Sequence, residues 1–129
     1  MNFNRGDYIE IKVDLSNCIS ANENIISVGD SINNWNQSTG GYHAYYTASS
    51  NSFEVNSLIS TGQEGRAYSY PTDRSSVTII VDKYGCHVDG ELIVENSRIN
   101  DLSSVQVGSA EGNTRSNATY EYIKVVKYN

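Results

Sequence analysis

Aromatic rings set among amides and hydroxyls are the residues of this sequence with the most chemistry to offer. Trp35 sits in SINNWNQSTGG (31–41), an amide-rich loop ending in two glycines, where a core tryptophan would be poorly placed. Tyr42, His43 and Tyr45 follow in YHAYY (42–46), and Tyr68 and Tyr70 share one face of RAYSYP (66–71). A pyranose presents an apolar C–H flank that lies against an aromatic plane, while its hydroxyls need directed donors and acceptors. Trp or Tyr beside Asn, Glu and Arg supplies both, and the segment SAEGNTRSN (109–117) offers Glu111, Asn113 and Arg115 as polar partners. The expected binding set is therefore Trp35, Tyr42, His43, Tyr45, Tyr68, Tyr70, Glu111, Asn113 and Arg115. The competing reading of Trp35 is a lid over the edge of the fold. For the tyrosines it is aromatic pairing across an exposed sheet, and for 109–117 a solvated hairpin tip.

Other chemistries fit less well. Glycoside hydrolysis needs two carboxyls about 5–5.5 Å apart for retention or about 6.5–9.5 Å for inversion. Glu91 with Glu95, and Glu10 with Asp14, lie four residues apart in expected strands, about 13 Å at 3.3 Å per residue. Glu54 with Glu111 remains open as a cross-strand pair, but nothing singles it out. There is no G-x-S-x-G elbow, no CxxC, and His43 and His87 are not spaced as a metal pair. No cofactor is expected, although GDSINN (29–34) or DLSN (14–17) could contribute Asp, Asn and carbonyl oxygens to a structural calcium. The competing reading is that Asp30 and Asp14 serve turns. A bridge between Cys18 and Cys86 would close a loop of about 68 residues and stabilise by roughly 4 kcal/mol in a chain-entropy model. The stronger reading makes Cys86, which alternates with Val88, a buried free thiol.

Composition narrows the partners. Ten tyrosines stand against one Trp and two Phe, and the formal charge is −6. Nine scattered basic residues form no stripe for a phosphate backbone, which speaks against nucleic acid. No apolar run approaches the roughly 20 residues needed to cross a bilayer, so no membrane insertion is expected.

These side chains must be held by strands, because apolar residues recur at every second position through most of the chain. In YIEIKVDL (8–15), Ile9, Ile11, Val13 and Leu15 fall on one face and Tyr8, Glu10, Lys12 and Asp14 on the other. NIISVG (24–29) is a more buried run. In YHAYYTAS, Ala44, Tyr46 and Ala48 share the inner face and His43, Tyr45 and Thr47 the outer; Tyr42 is also expected outside. SVTIIVDKYGCHVDGELIVE (76–95) reads as three strands, with Gly85 supplying the first reversal and Asp89-Gly90 a type I′ hairpin. In TYEYIKVVKY (119–128), Tyr120, Tyr122, Lys124 and Val126 alternate against Glu121, Ile123, Val125 and Lys127. SRINDLSS (97–104) makes one helical turn at most. With 129 residues and no linker-like run, a single domain over 1–129 is expected. Eight to ten short strands at intervals of roughly ten residues point to an all-β fold, a two-sheet antiparallel β-sandwich of jelly-roll type with its terminal strands paired.

The order ENIISVGDSINNW, YHAYYT, VTIIVDKYGCHVDGELI, YEYIKVVKY resembles a concanavalin A-like lectin/glucanase or laminin G-like jelly roll, from about Tyr8 to Tyr128. The Glu-x-Asp-x-x-Glu strand of the glucanases is missing here. The resemblance therefore implies a non-catalytic carbohydrate-binding module or lectin-like domain that takes polysaccharide or oligosaccharide. It also implies attachment to a carbohydrate-active enzyme and an extracellular or cell-surface setting. A second expectation, from another class, is a structural or adhesive sandwich with tyrosines as protein-contact anchors; a small glycosidase comes third.

Overall fold

The structure is a computed structural model describing residues 4–21, 23–30, 40–59, 62–71, 75–95, 104–108 and 116–128; for 29–30, 40–43, 45, 53–59, 62–71, 104 and 106 it describes the backbone. Alternation of apolar and polar residues becomes ten strands: β1 (Tyr8–Asp14), β2 (Glu23–Asp30), β3 (Gly40–Thr47), β4 (Ser52–Ile59), β5 (Gly62–Pro71), β6 (Ser76–Asp82), β7 (Gly85–Val88), β8 (Glu91–Glu95), β9 (Ser104–Val107) and β10 (Thr119–Val126). They form two five-stranded sheets, β10-β1-β6-β7-β8 and β5-β4-β3-β2-β9. Every pairing is antiparallel. The fold is a two-sheet β-sandwich, as the periodicity predicts. Among the described residues, no helix is long and apolar enough to cross a membrane.

The core lies between the sheets. Ile9, Ile11 and Val13 of β1, Val77, Ile79 and Val81 of β6, Cys86 and Val88 of β7 and Val94 of β8 face Ile26 and Val28 of β2 and Ala44 and Tyr46 of β3. Burying each branched aliphatic contributes about 1.5–3 kcal/mol, so register is set by this face: a one-residue slip would put every one of them in water. Cys18 and Cys86 are both free and buried. Burial pushes the Cys86 thiol up to about 12, and burial followed by the Glu23 carboxylate pushes Cys18 up to about 11.

One turn follows the simple pattern, and one turn and one bulge depart from it. Asp89 and Gly90 both take positive φ, 50° and 84°, as a type I′ hairpin requires. The first reversal is built differently from expectation, because Gly85 already belongs to β7. Asp82 makes the turn instead, its Oδ1 accepting from the Tyr84 and Gly85 N–H groups at 2.8 and 3.0 Å. Gly85 is needed for space, since a Cβ there would stand 2.4 Å from Leu92 Cδ1 and 2.5 Å from the Val94 carbonyl oxygen. In β10, Val13 pairs Tyr120 while Lys12 pairs Tyr122, so a bulge at Glu121 breaks the expected alternation. Tyr120 thereby joins the core side, half-buried, and its hydroxyl donates to the Ile25 carbonyl at 2.6 Å.

The terminal strands pair, and their meeting point is held by one buried carboxylate. Asp7 is 1% exposed; it accepts from Asn4 N–H and Tyr128 N–H, each at 2.8 Å, and bonds the Lys127 ammonium. The Lys127 bond first, then the two backbone donors, lower its pKa from 3.8 to about 2. A carboxylate depressed in the folded state stabilises above its unfolded pKa and loses that contribution as pH falls through the folded one. Thermal unfolding followed by circular dichroism should show Asp7→Asn melting below the parent at pH 7, with the difference shrinking between about pH 4 and pH 2. Gly85→Ala should lose about 1–3 kcal/mol in urea unfolding through overpacking. Gly90→Ala, whose added Cβ meets nothing within 4 Å, should lose only the backbone-strain share, about 1–2 kcal/mol.

Candidate functional site

Alternation and register decide which residues share the outer face of the second sheet. Ala44 and Tyr46 are buried in the core, so His43 and Tyr45 fall on the opposite face of β3. Pairing carries that face across the sheet. Ser27 pairs with both His43 and Gln106, and His43 pairs Asn56, which pairs Ala67. One row therefore runs Gln106, Ser27, His43, Asn56, Ala67 over five strands, about 19 Å at the usual strand spacing. The next row runs Asn24, Tyr45, Glu54, Ser69. In the third row Gly29 pairs Gly41, which leaves its centre without side chains just before the connection 31–39. By register these two rows hold hydroxyl, amide, imidazole and carboxylate residue types and one tyrosine, a composition suited to many directed hydrogen bonds.

A bulge in β2 shapes the face. Asn24 pairs Tyr45 while Ile26 pairs Ala44, so Ile25 is the extra residue. That places Asn24 and Ser27 on one side, and Ser27 Oγ donates to Asn24 Oδ1 at 3.2 Å. Both are completely buried although they lie on the side away from the core. Asn24 Nδ2 has no hydrogen-bond partner among the described residues. An orphaned buried donor of this kind costs about 1–3 kcal/mol.

Glu23 holds this bulge from the core side. Its carboxylate is fully buried and accepts from Ile19 N–H and Ser20 N–H at 2.8 Å and from Asn117 N–H at 2.7 Å. Gly108 N–H and the Tyr120 hydroxyl both donate to the Ile25 carbonyl, so the extra residue is anchored by two other segments. Nothing in the local sequence assigns Glu23 this role. Its only signal was a carboxylate opening an apolar run.

The expected site residues separate. His43 and Tyr45 share the polar outer face. Tyr42 pairs Val28 and falls with Ala44 and Tyr46, which corrects its expected outer placement: residues two and four apart in a strand share a face. Tyr68 pairs Val55, itself opposite Ala44, and Tyr70 pairs Phe53, itself opposite Tyr46. Both tyrosines are thus on the core face of β5, and β4 lies between β5 and β3. By register, Tyr68 and Tyr70 therefore do not share a face with His43 and Tyr45. Trp35, Glu111, Asn113 and Arg115 lie outside the described residues, as does the turn expected in SRINDLSS up to Ser103.

Asp14 serves a turn: its Oδ1 accepts from Ser16 N–H at 2.8 Å, which lowers its pKa. No group of three or more His, Cys, Asp and Glu that could hold a metal ion occurs among the described residues.

No protein-family model matches the sequence, and no curated protein matches it significantly. Among solved structures, the crystal structure of an ancestral congerin, Con-anc, is similar over 98% of this chain and 96% of that one, with a TM-score of 0.51 and 16% sequence identity. The two chains share a β-sandwich fold. That similarity is to a congerin, and it carries the sandwich without the narrower concanavalin A-like or laminin G-like family.

Proposed function

We propose that the protein is a non-catalytic, lectin-like carbohydrate-binding domain that takes oligosaccharide or polysaccharide on the outer face of its second sheet. The observation that carries this reading is the register, which brings His43, Tyr45, Glu54, Asn56 and Gln106 to one outer sheet face. One ring offers an apolar plane, and its neighbours offer the donors and acceptors that sugar hydroxyls need. The similarity to a congerin, a galectin-type lectin, supports it. Trp35, in the connection leaving this face at Asp30 and returning at Gly40, belongs to the same proposal, with Glu111, Asn113 and Arg115 as further polar contacts. Attachment to a carbohydrate-active enzyme and an extracellular or cell-surface setting complete it. A shallow wet site of this kind binds at micromolar to millimolar strength, roughly −8 to −4 kcal/mol.

One observation favours the adhesive reading instead. Ile123 and Val125 of β10 and Val105 of β9 lie on the core-side faces of two edge strands yet are 47%, 49% and 42% exposed. Apolar side chains left open at sheet edges suit contact with another protein.

Affinity electrophoresis through gels holding single soluble glycans separates the two. Retardation by at least one glycan, lost in Tyr45→Ala and in Trp35→Ala while both variants keep the parental melting temperature, is the expected result. Free migration through the whole panel, together with a defined dimer in sedimentation, would replace the sugar reading with the adhesive one.

A further inference from the structure

The first sheet carries a separate groove on its own outer face. Tyr8 of β1 pairs Asp82 of β6, and Glu10 pairs Ile80, so these four residues form a patch on the side away from the core. With Gly6, Asp7 and Tyr84 they line a cavity of about 330 Å³, at the small end of ligand sites. Tyr84 is 47% exposed at its rim.

Charge in the groove is already balanced. Asp7 bonds Lys127, and Glu10 lies 3.5 Å from the Lys124 ammonium. Asp82 accepts from two backbone N–H groups and lies 3.1 Å from His87 Nε2. The aromatic rings have their own cations: Arg5, 5.6 Å from the centre of the Tyr84 ring, also donates from Nε to the Tyr84 hydroxyl, and Lys124 lies over Tyr8 at 5.9 Å. A cationic ligand would compete with Lys124 and Arg5 for rings and carboxylates, and an anionic one would compete with those carboxylates for the same cations. Neutral ligands meet neither obstacle. Hydrogen-bonding capacity is left over: Glu10 Oε2 accepts from the Tyr122 hydroxyl at 2.6 Å, while Glu10 Oε1 and the Tyr8 hydroxyl have no partner among the described residues. A cation occupies one face of a ring and leaves the other to an apolar surface.

We infer that this groove is a second saccharide subsite, sized for one neutral pyranose, which stacks on Tyr84 and hydrogen-bonds Glu10 Oε1 and the Tyr8 hydroxyl. It shares no residue with the outer face of the second sheet, so either site can fail alone. Two sites on opposite sheets would let one molecule bridge two glycan chains.

Methyl β-D-glucopyranoside is a suitable probe because its ring hydroxyls are all equatorial and both flanks are apolar. In a nitrogen-15 amide titration, the Gly6, Glu10, Tyr84 and Gly85 signals should shift and saturate at millimolar sugar. Tyr84→Ala should weaken this titration by about tenfold or more, and Tyr84→Phe, which keeps the ring, should stay within about threefold of the parent. Tyr8→Leu, a second variant, should also weaken it, whereas Tyr45→Ala should leave it unchanged. Groove amides that fail to saturate by about 50 mM sugar, or a folded Tyr84→Ala that titrates like the parent, would overturn the assignment. Shifts confined to Ser27, His43 and Tyr45 would overturn it too, while leaving the second-sheet site intact.

Discussion

Side chains in a strand alternate between two faces, and antiparallel register then fixes which residues of five strands can lie side by side. That constraint governs this molecule more than any single contact. The inner faces are committed by Ile9, Ile11, Val13, Val77, Ile79 and Val81 on one sheet and Ile26, Val28, Ala44 and Tyr46 on the other. Once those residues are inside, every remaining position is assigned. His43 and Tyr45 join Ser27, Asn56 and Glu54, and Tyr42, Tyr68 and Tyr70 are withdrawn to the opposite face. The polar surface is thus a by-product of core packing as much as of its own residue types.

Much of the fold was legible because its strongest strands have a simple period. β1 and β6 alternate strictly between half-buried and buried residues, and the Asp89-Gly90 hairpin has the φ values its sequence demands. What escaped reading were the places where the period breaks. The bulge at Ile25 and the one at Glu121 each insert a residue that no local pattern announces, and each depends on hydrogen bonds from distant segments, such as Tyr120 to Ile25 across 95 positions. Gly85 has the look of a turn residue in the sequence, although its role is steric.

The candidate site was legible only in part, for a related reason. Rings and amides were visible as types, but a shared platform depends on strand order, which one sequence does not encode locally. Tyr68 and Tyr70 looked like partners for Tyr45 until β4 came between them and carried the opposite face across. The groove beneath Tyr84 was equally hidden, because Tyr8, Glu10, Ile80 and Asp82 come from strands about 70 residues apart in the chain.

Asp7 also has a mechanical side. The start of β1 lies opposite the end of β10, with Tyr8 against Val126, and the carboxylate clasps the chain just outside that pair. Tension drawn between the two ends would therefore act across the ladder and peel it one bond at a time, beginning at the Asp7 clasp. The sandwich would resist pulling in that direction far less than a pair of strands loaded in shear.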